Sequence, residues 1–395
     1  MNNNIRIGNL FGIPFYVNPS WFIVLGLVTL TYSGQLAVVF PELGALAWVL
    51  GLAAALMLFA SVLAHELGHS VVAISQGIEV NSITLFIFGG LASLGEESKT
   101  PGDAFKVAIA GPLVSFLLFG IFSLVGAVVP LPGPFQAIVG LLAYINLALG
   151  VFNLIPGLPL DGGNVLKALV WKITGKPYKG IAFASIVGQF FGWVGILLGI
   201  ASIFNLTSFG SVWTLLIGWF LLQNAGRSAQ SAAIQEKMSG YTALDAIYAD
   251  SPVTKGSQSL RELANNYIIG SQRNWRKFLV TNEDGQLVGE IDVDALKTIP
   301  TNDWWSVTVD QLTHPIETLT TVPAKMPLLE ALGLFQDDSA GVVVVINDSN
   351  QVLGLLERDS IFQMLQRQEE ENASEEAIAI SAPSDAPSDA PSDSV

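Results

Sequence analysis

The sequence contains no cysteine and is poor in histidine and in charged residues. The absence of cysteine from all 395 residues excludes disulfide bonds and thiolate metal centres, so any zinc site must use nitrogen and oxygen ligands. Histidine occurs three times, and charged residues make up 13% of the chain. Hydrophobic residues make up 51% and the mean hydropathy is +0.53, a composition that excludes a single soluble domain.

The few charges are unevenly distributed along the chain. Residues 1–230 carry eight Lys and Arg against seven Asp and Glu, whereas residues 231–395 carry ten against 26. This contrast predicts a membrane domain over 1–230, followed by a soluble and acidic part. A soluble part of this charge gives no reason to expect nucleic acid as a partner.

Six apolar stretches of the first part are predicted to cross the lipid bilayer. Their bounds are 20–40, 44–75, 104–129, 135–154, 181–205 and 209–224, the last of them short. The Lys and Arg residues lie before the first span, after the last, or near the segments that follow spans two and four. The positive-inside rule therefore predicts a multi-pass protein of the cell membrane with both termini in the cytoplasm. Since the N-terminus shows no clear signal-peptide cleavage site, the first span is expected to remain.

The second span carries the motif H-E-x-x-H, formed by His65, Glu66 and His69. Residues i and i+4 of a helix face the same side, about 6 Å apart along the axis. The two imidazoles can therefore share one Zn²⁺, with the glutamate beside it. A chance match on a core helix is the structural alternative. The scarcity of histidine in the chain and the cost of burying these groups in a span argue against it.

The segment 79–95 differs in amino-acid composition from the spans around it. It is rich in β-branched and aromatic residues and contains the pair Gly89-Gly90. These features predict a bent strand or a hairpin, with an ordinary amphipathic loop as the alternative. A strand edge beside the metal could hold a substrate in extended form by β-addition.

A second polar group follows the fourth span, where Pro156 and Pro159 break the helix. Broken backbone at membrane depth is tolerated only where protein or water shelters it. Asp161 is the only carboxylate between positions 103 and 236, which predicts it as the third zinc ligand, with a fourth position left for water. Alternatively, Asp161 caps the helix that follows. Asn153 either donates to the oxyanion of a tetrahedral intermediate or satisfies a freed backbone group.

Together, the two motifs closely resemble those of the site-2 protease family of intramembrane zinc metalloproteases. The resemblance covers about residues 5–230, and the second motif is N-x-x-P-x-x-P-x-D-G-G, running from Asn153. It implies that His65, His69 and Asp161 bind one Zn²⁺ per chain and that Glu66 is the catalytic base. These positions show no departure from the family pattern.

The soluble part shows an internal repeat with a period of about 65 residues over 238–367. Each copy has two strands joined by a turn, at 278–291 and 342–356, followed by a short helix. The repeat resembles a tandem pair of CBS domains, an α/β module that accompanies one branch of the family and often binds adenine nucleotides.

This part of the chain departs from the CBS nucleotide pattern at the positions expected to meet phosphate and ribose. Those positions hold Asp292 and Ala295 in the first copy, and Glu357 and Ser360 in the second. Acidic residues there argue against ordinary nucleotide binding and favour a packing or homodimerisation role. The remaining residues, 368–395, are acidic, proline-rich and repetitive, which predicts a disordered tail.

The predicted fold is therefore an α-helical polytopic membrane domain of about six spans with a short β-hairpin, followed by a soluble α/β CBS pair. The predicted function is zinc-dependent endopeptidase hydrolysis in or near transmembrane segments of substrate proteins, with the CBS pair as a regulatory or dimerisation module. A transporter or channel gated by the CBS pair and a scaffold with a structural zinc are the alternatives. Glu66 discriminates between them, because neither alternative needs a base beside two metal-spaced histidines.

Overall fold

The computed structural model describes residues 4–87, 89–248, 250–269, 275–315, 320–335 and 343–381. The chain divides into two compact units, Met1–Glu236 and Lys237–Val395. From the N-terminus to the boundary, the elements are β1 (Ile5–Leu10), β2 (Ile13–Val17), α1 (Ser20–Val39), α2 (Leu46–Ser75), β3 (Val80–Phe86), β4 (Gly89–Leu94), α3 (Pro101–Val128), α4 (Gly133–Asn153), α5 (Asp161–Thr174), α6 (Pro177–Ile203) and α7 (Val212–Met238).

Five helices among the described residues are long and apolar enough to cross a membrane, namely α1, α2, α3, α4 and α6. They coincide with the first five predicted spans, with ends that differ by at most four residues. Their outer surfaces are apolar, as shown by the exposed side chains of Leu27, Ile121 and Leu197. Such a surface is stable against lipid and unfavourable in water.

The sixth predicted span, 209–224, falls on α7, which is not among those five helices. The apolar first half of α7 is short, and it continues without a break into a polar second half that carries Arg227 and Lys237. The helix therefore extends beyond the apolar segment from which the span was predicted.

A four-stranded sheet in the order β1-β2-β3-β4 accompanies the membrane helices. The antiparallel pair β3–β4 confirms the predicted hairpin, with Phe86 opposite Gly89 at its turn. The pair β1–β2 was not predicted. This pair is a local antiparallel hairpin closed at Phe11-Gly12. The parallel pairing of β2 with β3, by contrast, spans the intervening α1 and α2, so it is long-range and leaves no local sequence signal.

Helices α2 and α3 approach each other closely at Gly68. A Cβ built there would lie 2.9 Å from the carbonyl oxygen of Ala110, which is closer than real side chains come. The absent side chain thus permits backbone contact of the kind common between membrane helices. This crossing sets the motif-bearing face of α2 directly against α3.

The second unit contains two three-stranded sheets of the same design. The elements are β5 (Val253–Lys255), α8 (Leu260–Leu263), β6 (Lys277–Thr281), β7 (Leu287–Asp292), β8 (Thr320–Pro323), α9 (Leu328–Gly333), β9 (Val343–Ile346), β10 (Val352–Leu356) and α10 (Arg358–Ser381). In each sheet the central strand, β6 or β9, pairs in parallel with the preceding strand and antiparallel with the following one. The predicted internal repeat is therefore present, and Leu279, Val344 and Leu355 join the two sheets in one apolar cluster.

The last described helix, α10, reaches Ser381 and so extends into the segment 368–395, for which disorder was predicted. Residues 382–395, with the Ala-Pro-Ser-Asp repeats, lie outside the described residues. The prediction for that part stays a prediction.

Candidate metal centre

Helix α2 presents the H-E-x-x-H motif on a buried face. His65 is 3% exposed, and its Nε2 lies 3.3 Å from the Nε2 of His69. The rings stand edge to face, with centroids 5.0 Å apart. The predicted i, i+4 convergence of the two imidazoles is therefore present.

Asp161 joins the two histidines from a distant part of the chain. Its Oδ2 lies 3.0 Å from His65 Nε2, and its Oδ1 lies 3.3 Å from His69 Nε2. Although Asp161 is the first residue of α5, no side-chain capping bond is formed at this helix start. Both carboxylate oxygens lie against the imidazoles, which is the arrangement that the ligand interpretation expects.

Close backbone packing holds in place the proline-broken segment that precedes Asp161. A Cβ on Gly163 would lie 2.3 Å from the carbonyl carbon of Gly157, and one on Gly188 of α6 would lie 2.1 Å from the carbonyl oxygen of Leu158. The backbone N–H of Leu158 also donates to the carbonyl of Ala184 on α6. The proline-broken segment is thus sheltered by α5 and α6, as broken backbone in a membrane requires.

The three side chains match the dimensions of a small tetrahedral metal site. One ligand atom from each of His65, His69 and Asp161 lies within 4.8 Å of the others. Ligands about 2.0–2.1 Å from a tetrahedral centre lie roughly 3.3 Å from one another, close to the separations seen here. With two nitrogens and one oxygen, the set fits zinc and leaves one position open for water, as catalytic zinc requires.

Hydrogen bonds on the far sides of the rings orient both histidines for metal binding. His69 Nδ1 lies 2.7 Å from the carbonyl oxygen of Val107, which can only accept, so Nδ1 carries the proton and Nε2 is left with its lone pair. His65 Nδ1 lies 2.9 Å from the hydroxyl of Ser115, which is fully buried. Such outer partners fix the ring orientation and the tautomer of metal-binding histidines. Neither partner could be predicted from the sequence, because both belong to α3 and no local pattern marks them.

Gly111 of α3 lies directly against the imidazole pair. A Cβ at this position would lie 2.2 Å from His69 Nε2 and 2.7 Å from His65 Nε2. Only glycine therefore leaves space for the rings and for an ion between them.

We expect Gly111→Ala to lower zinc affinity by more than tenfold, because the new methyl group must displace one of the two Nε2 atoms. Loss of a single ligand-orienting contact already costs about 10–100-fold in affinity. The measurement is zinc content after dialysis against a graded zinc buffer. Gly120→Ala on the same helix is the matched control, since nothing lies within 4 Å of its Cβ position. Equal zinc affinity in the two variants would contradict the arrangement.

A cavity of about 390 Å³ opens onto the three ligands. Glu66 and Asn153 line it, together with Gly90 and Ala92 of β4. Ala92 of β4 lies close to the Glu66 carboxylate. Gly90 is packed so closely on that side chain that its Cβ would lie 2.4 Å from Glu66 Cγ. Both predicted catalytic residues thus share one cavity with the ligand set, and β4 holds the carboxylate in place.

Comparison with known proteins agrees with this geometry. The sequence matches the profile of peptidase family M50 over residues 53–139 and 131–198. It is 57% identical over 367 residues to sll0528 of Synechocystis, spanning 93% of this chain and 96% of that protein. It is 30% identical over 373 residues to Rip3 of Mycobacterium tuberculosis, spanning 92% and 93%. Both relatives carry the name putative zinc metalloprotease.

The chain belongs to peptidase family M50, the site-2 proteases. As an M50 protein it is a multi-pass membrane zinc metalloprotease, and among the described residues His65, His69 and Asp161 form a group that could hold the ion. Among solved structures, the site-2 protease of Methanocaldococcus jannaschii is 28% identical, covering 57% of this chain and 95% of that one with a TM-score of 0.41. The CBS family profile matches residues 309–367, the second copy of the repeat in the soluble unit of this M50 protein.

Proposed function

We propose that this protein cleaves peptide bonds in or near the transmembrane segments of substrate proteins, with Glu66 as the catalytic base and one zinc ion per chain. The observation that carries the proposal is the convergence of Asp161 on His65 and His69 within a cavity that Glu66 also lines. The centre lies on helices that are apolar outside, so substrates that reach it travel within the bilayer.

The residues of the cavity divide the chemistry of hydrolysis between them. When bound, zinc supplies the Lewis acidity that activates water and polarises the peptide carbonyl. Glu66 accepts the proton of the attacking water as the new C–O bond forms, then returns it to the amine nitrogen as the C–N bond breaks. Asn153, at the C-terminal end of α4, donates its amide N–H to the carbonyl oxygen that gains negative charge.

Strand β4 supports delivery of the substrate in extended form. It is an edge strand of its sheet, so one side of its backbone has no strand partner within that sheet, and it lines the cavity beside Glu66. A helical segment hides its carbonyls in its own hydrogen bonds and must unwind before attack. Pairing with β4 replaces the hydrogen bonds that unwinding removes.

The orientation in the membrane and the role of the CBS pair are parts of the same proposal. Both termini lie in the cytoplasm, with α7 crossing the bilayer in addition to the five longer apolar helices, because the basic residues then lie on one side.

The CBS pair regulates the protease or mediates homodimerisation. Ordinary binding of an adenine nucleotide is not expected, since Asp292 caps the helical turn after β7 and the Ser360 hydroxyl bonds to the backbone of Glu357.

The direct test is hydrolysis of single-span peptides by the purified full chain in proteoliposomes. We expect cleavage in or near the span, loss of cleavage when a chelator removes zinc, and recovery after one equivalent of Zn²⁺ per chain is restored. Mass spectrometry of the products locates the cleaved bond. Zinc-loaded protein that leaves every peptide intact while passing metal ions across the vesicle wall would instead establish the transporter alternative.

A further inference from the structure

One ion pair lies within the cavity, away from the metal ligands. The Nζ of Lys167 on α5 lies 2.7 Å from Oε2 of Glu97, in the segment after β4. Both residues line the cavity that holds the histidines. Lys167 is the one Lys or Arg among its described lining residues. The other described pairs of a lysine with a carboxylate in the membrane unit, Lys99–Glu96 and Lys106–Asp103, join neighbours three residues apart outside the cavity lining.

The two partners of this pair differ sharply in exposure. The Lys167 side chain is 15% exposed, whereas that of Glu97 is 73% exposed. Glu97 can leave for water at little cost, because an exposed carboxylate keeps most of its hydration. Lys167 cannot follow and would be left as a largely buried cation without an anion, which is costly. The cavity therefore contains a fixed cation whose present partner is easily displaced.

The backbone that carries Lys167 is held in place. A Cβ on Gly180 of α6 would lie 2.4 Å from the carbonyl oxygen of Lys167, so the two helices touch at this point. Asp161, Asn164, Lys167 and Trp171 all line the cavity, which makes one face of α5 its wall. Lys167 lies six residues after Asp161, about 9 Å further along the helix axis.

We propose that Lys167 determines substrate specificity by binding an acidic side chain of the substrate, and that Glu97 occupies it in the free enzyme. An extended chain rises about 3.3 Å per residue, so 9 Å corresponds to about three residues from the bond being cleaved, toward Glu97 and the water-exposed end of the cavity. This inference rests on the proposed proteolytic function. It adds the chemical class of a substrate residue and its distance from the cleaved bond.

The test measures binding of single-span peptides to the zinc-loaded full chain carrying Glu66→Gln, which does not require turnover. The probes bear Glu, Gln or Lys at one position, moved from one to six residues beyond the expected cleavage site. We expect the Glu probe to bind about ten times more tightly than the Gln probe near the third position, the effect of one hydrogen bond to a charged group. Lys167→Glu should reverse the preference in favour of the Lys probe.

Two further variants separate specificity from a structural role of the ion pair. Lys167→Met should abolish the preference, whereas Glu97→Gln should tighten binding of the Glu probe by removing the internal competitor. A structural role predicts the same change for both variants, because each breaks the pair. Lys172→Glu is the matched control, since Lys172 is exposed on the same helix. The Lys172→Glu variant should prefer the Glu probe over the Gln probe to the same extent as the parent protein does.

The zinc content of each variant confirms that the centre is intact. Equal binding of the Glu, Gln and Lys probes by the parent chain would overturn the assignment of Lys167. If the active enzyme still cleaves such peptides, the proteolytic function stands without a specificity role for Lys167. Selective binding by Lys167 in a chain that cleaves no peptide would instead count against the proteolytic function alone.

Discussion

Replacing Glu66 by glutamine should abolish peptide hydrolysis and leave the zinc in place. The substitution keeps the size and shape of the side chain but removes its ability to accept a proton, and general base catalysis contributes about 10²–10⁴-fold. Glu66 is not one of the three residues whose atoms converge, so the metal should remain. The paired measurement is zinc per chain and the cleavage rate of a single-span peptide by the same preparation.

Glu79→Gln is a suitable control for Glu66→Gln, because Glu79 is exposed and precedes the β3–β4 hairpin. It should retain both zinc and activity. Unchanged hydrolysis in Glu66→Gln would exclude the proposed base. Loss of zinc together with activity would show that Glu66 supports the metal centre, and the assignment as a base would then have to be withdrawn.

Asp161→Ala should release zinc and abolish activity together. The variant leaves two imidazoles without the carboxylate that completes the ligand set, and zinc held by two protein ligands is not a stable catalytic site. The loss of affinity should exceed the ~10–100-fold effect of removing an outer partner of a ligand. Competition with a chelator of known affinity measures it, and a high zinc concentration should restore part of the occupancy.

Asp103→Asn serves as the control for Asp161→Ala, because Asp103 pairs with Lys106 and lies outside the cavity lining. It should bind zinc as tightly as the unaltered chain. A folded Asp161→Ala protein with undiminished zinc affinity would mean that another residue completes the site. Helical content by circular dichroism shows that the variant is folded.

Much of this architecture follows from patterns that are local in the sequence. Hydropathy alone predicted the first five membrane helices. Each span satisfies its backbone hydrogen bonds within its own helix and exposes its side chains to lipid, so it appears in the sequence as one apolar run. The i, i+4 spacing placed His65 and His69 on one face of α2. The strand–turn–strand signals of the soluble unit likewise correspond to β6–β7 and β9–β10.

The predictions were weaker where a feature depends on partners distant in the chain. The local hairpin of β1 and β2 was not anticipated, and the parallel pairing of β2 with β3 across two long helices has no local signal at all. The sixth span was predicted over the apolar first half of α7. Hydropathy gave no sign that the same helix continues through a polar second half. Ser115 and the carbonyl of Val107 support the histidines from α3, a relation that no spacing within α2 could indicate.

The sequence by itself determined the ingredients of this protein: a cysteine-free chain, apolar spans, two metal-spaced histidines with a glutamate, and one isolated aspartate beyond a proline-broken segment. Only the tertiary structure decided that Asp161 meets His65, 96 positions away, together with His69, that Gly111 leaves space for both rings, and that Lys167 pairs with Glu97. The physical reason is that periodicity reports which face of an element a residue occupies. Which faces meet depends on the close packing of helices at glycines and on strand pairing over long range.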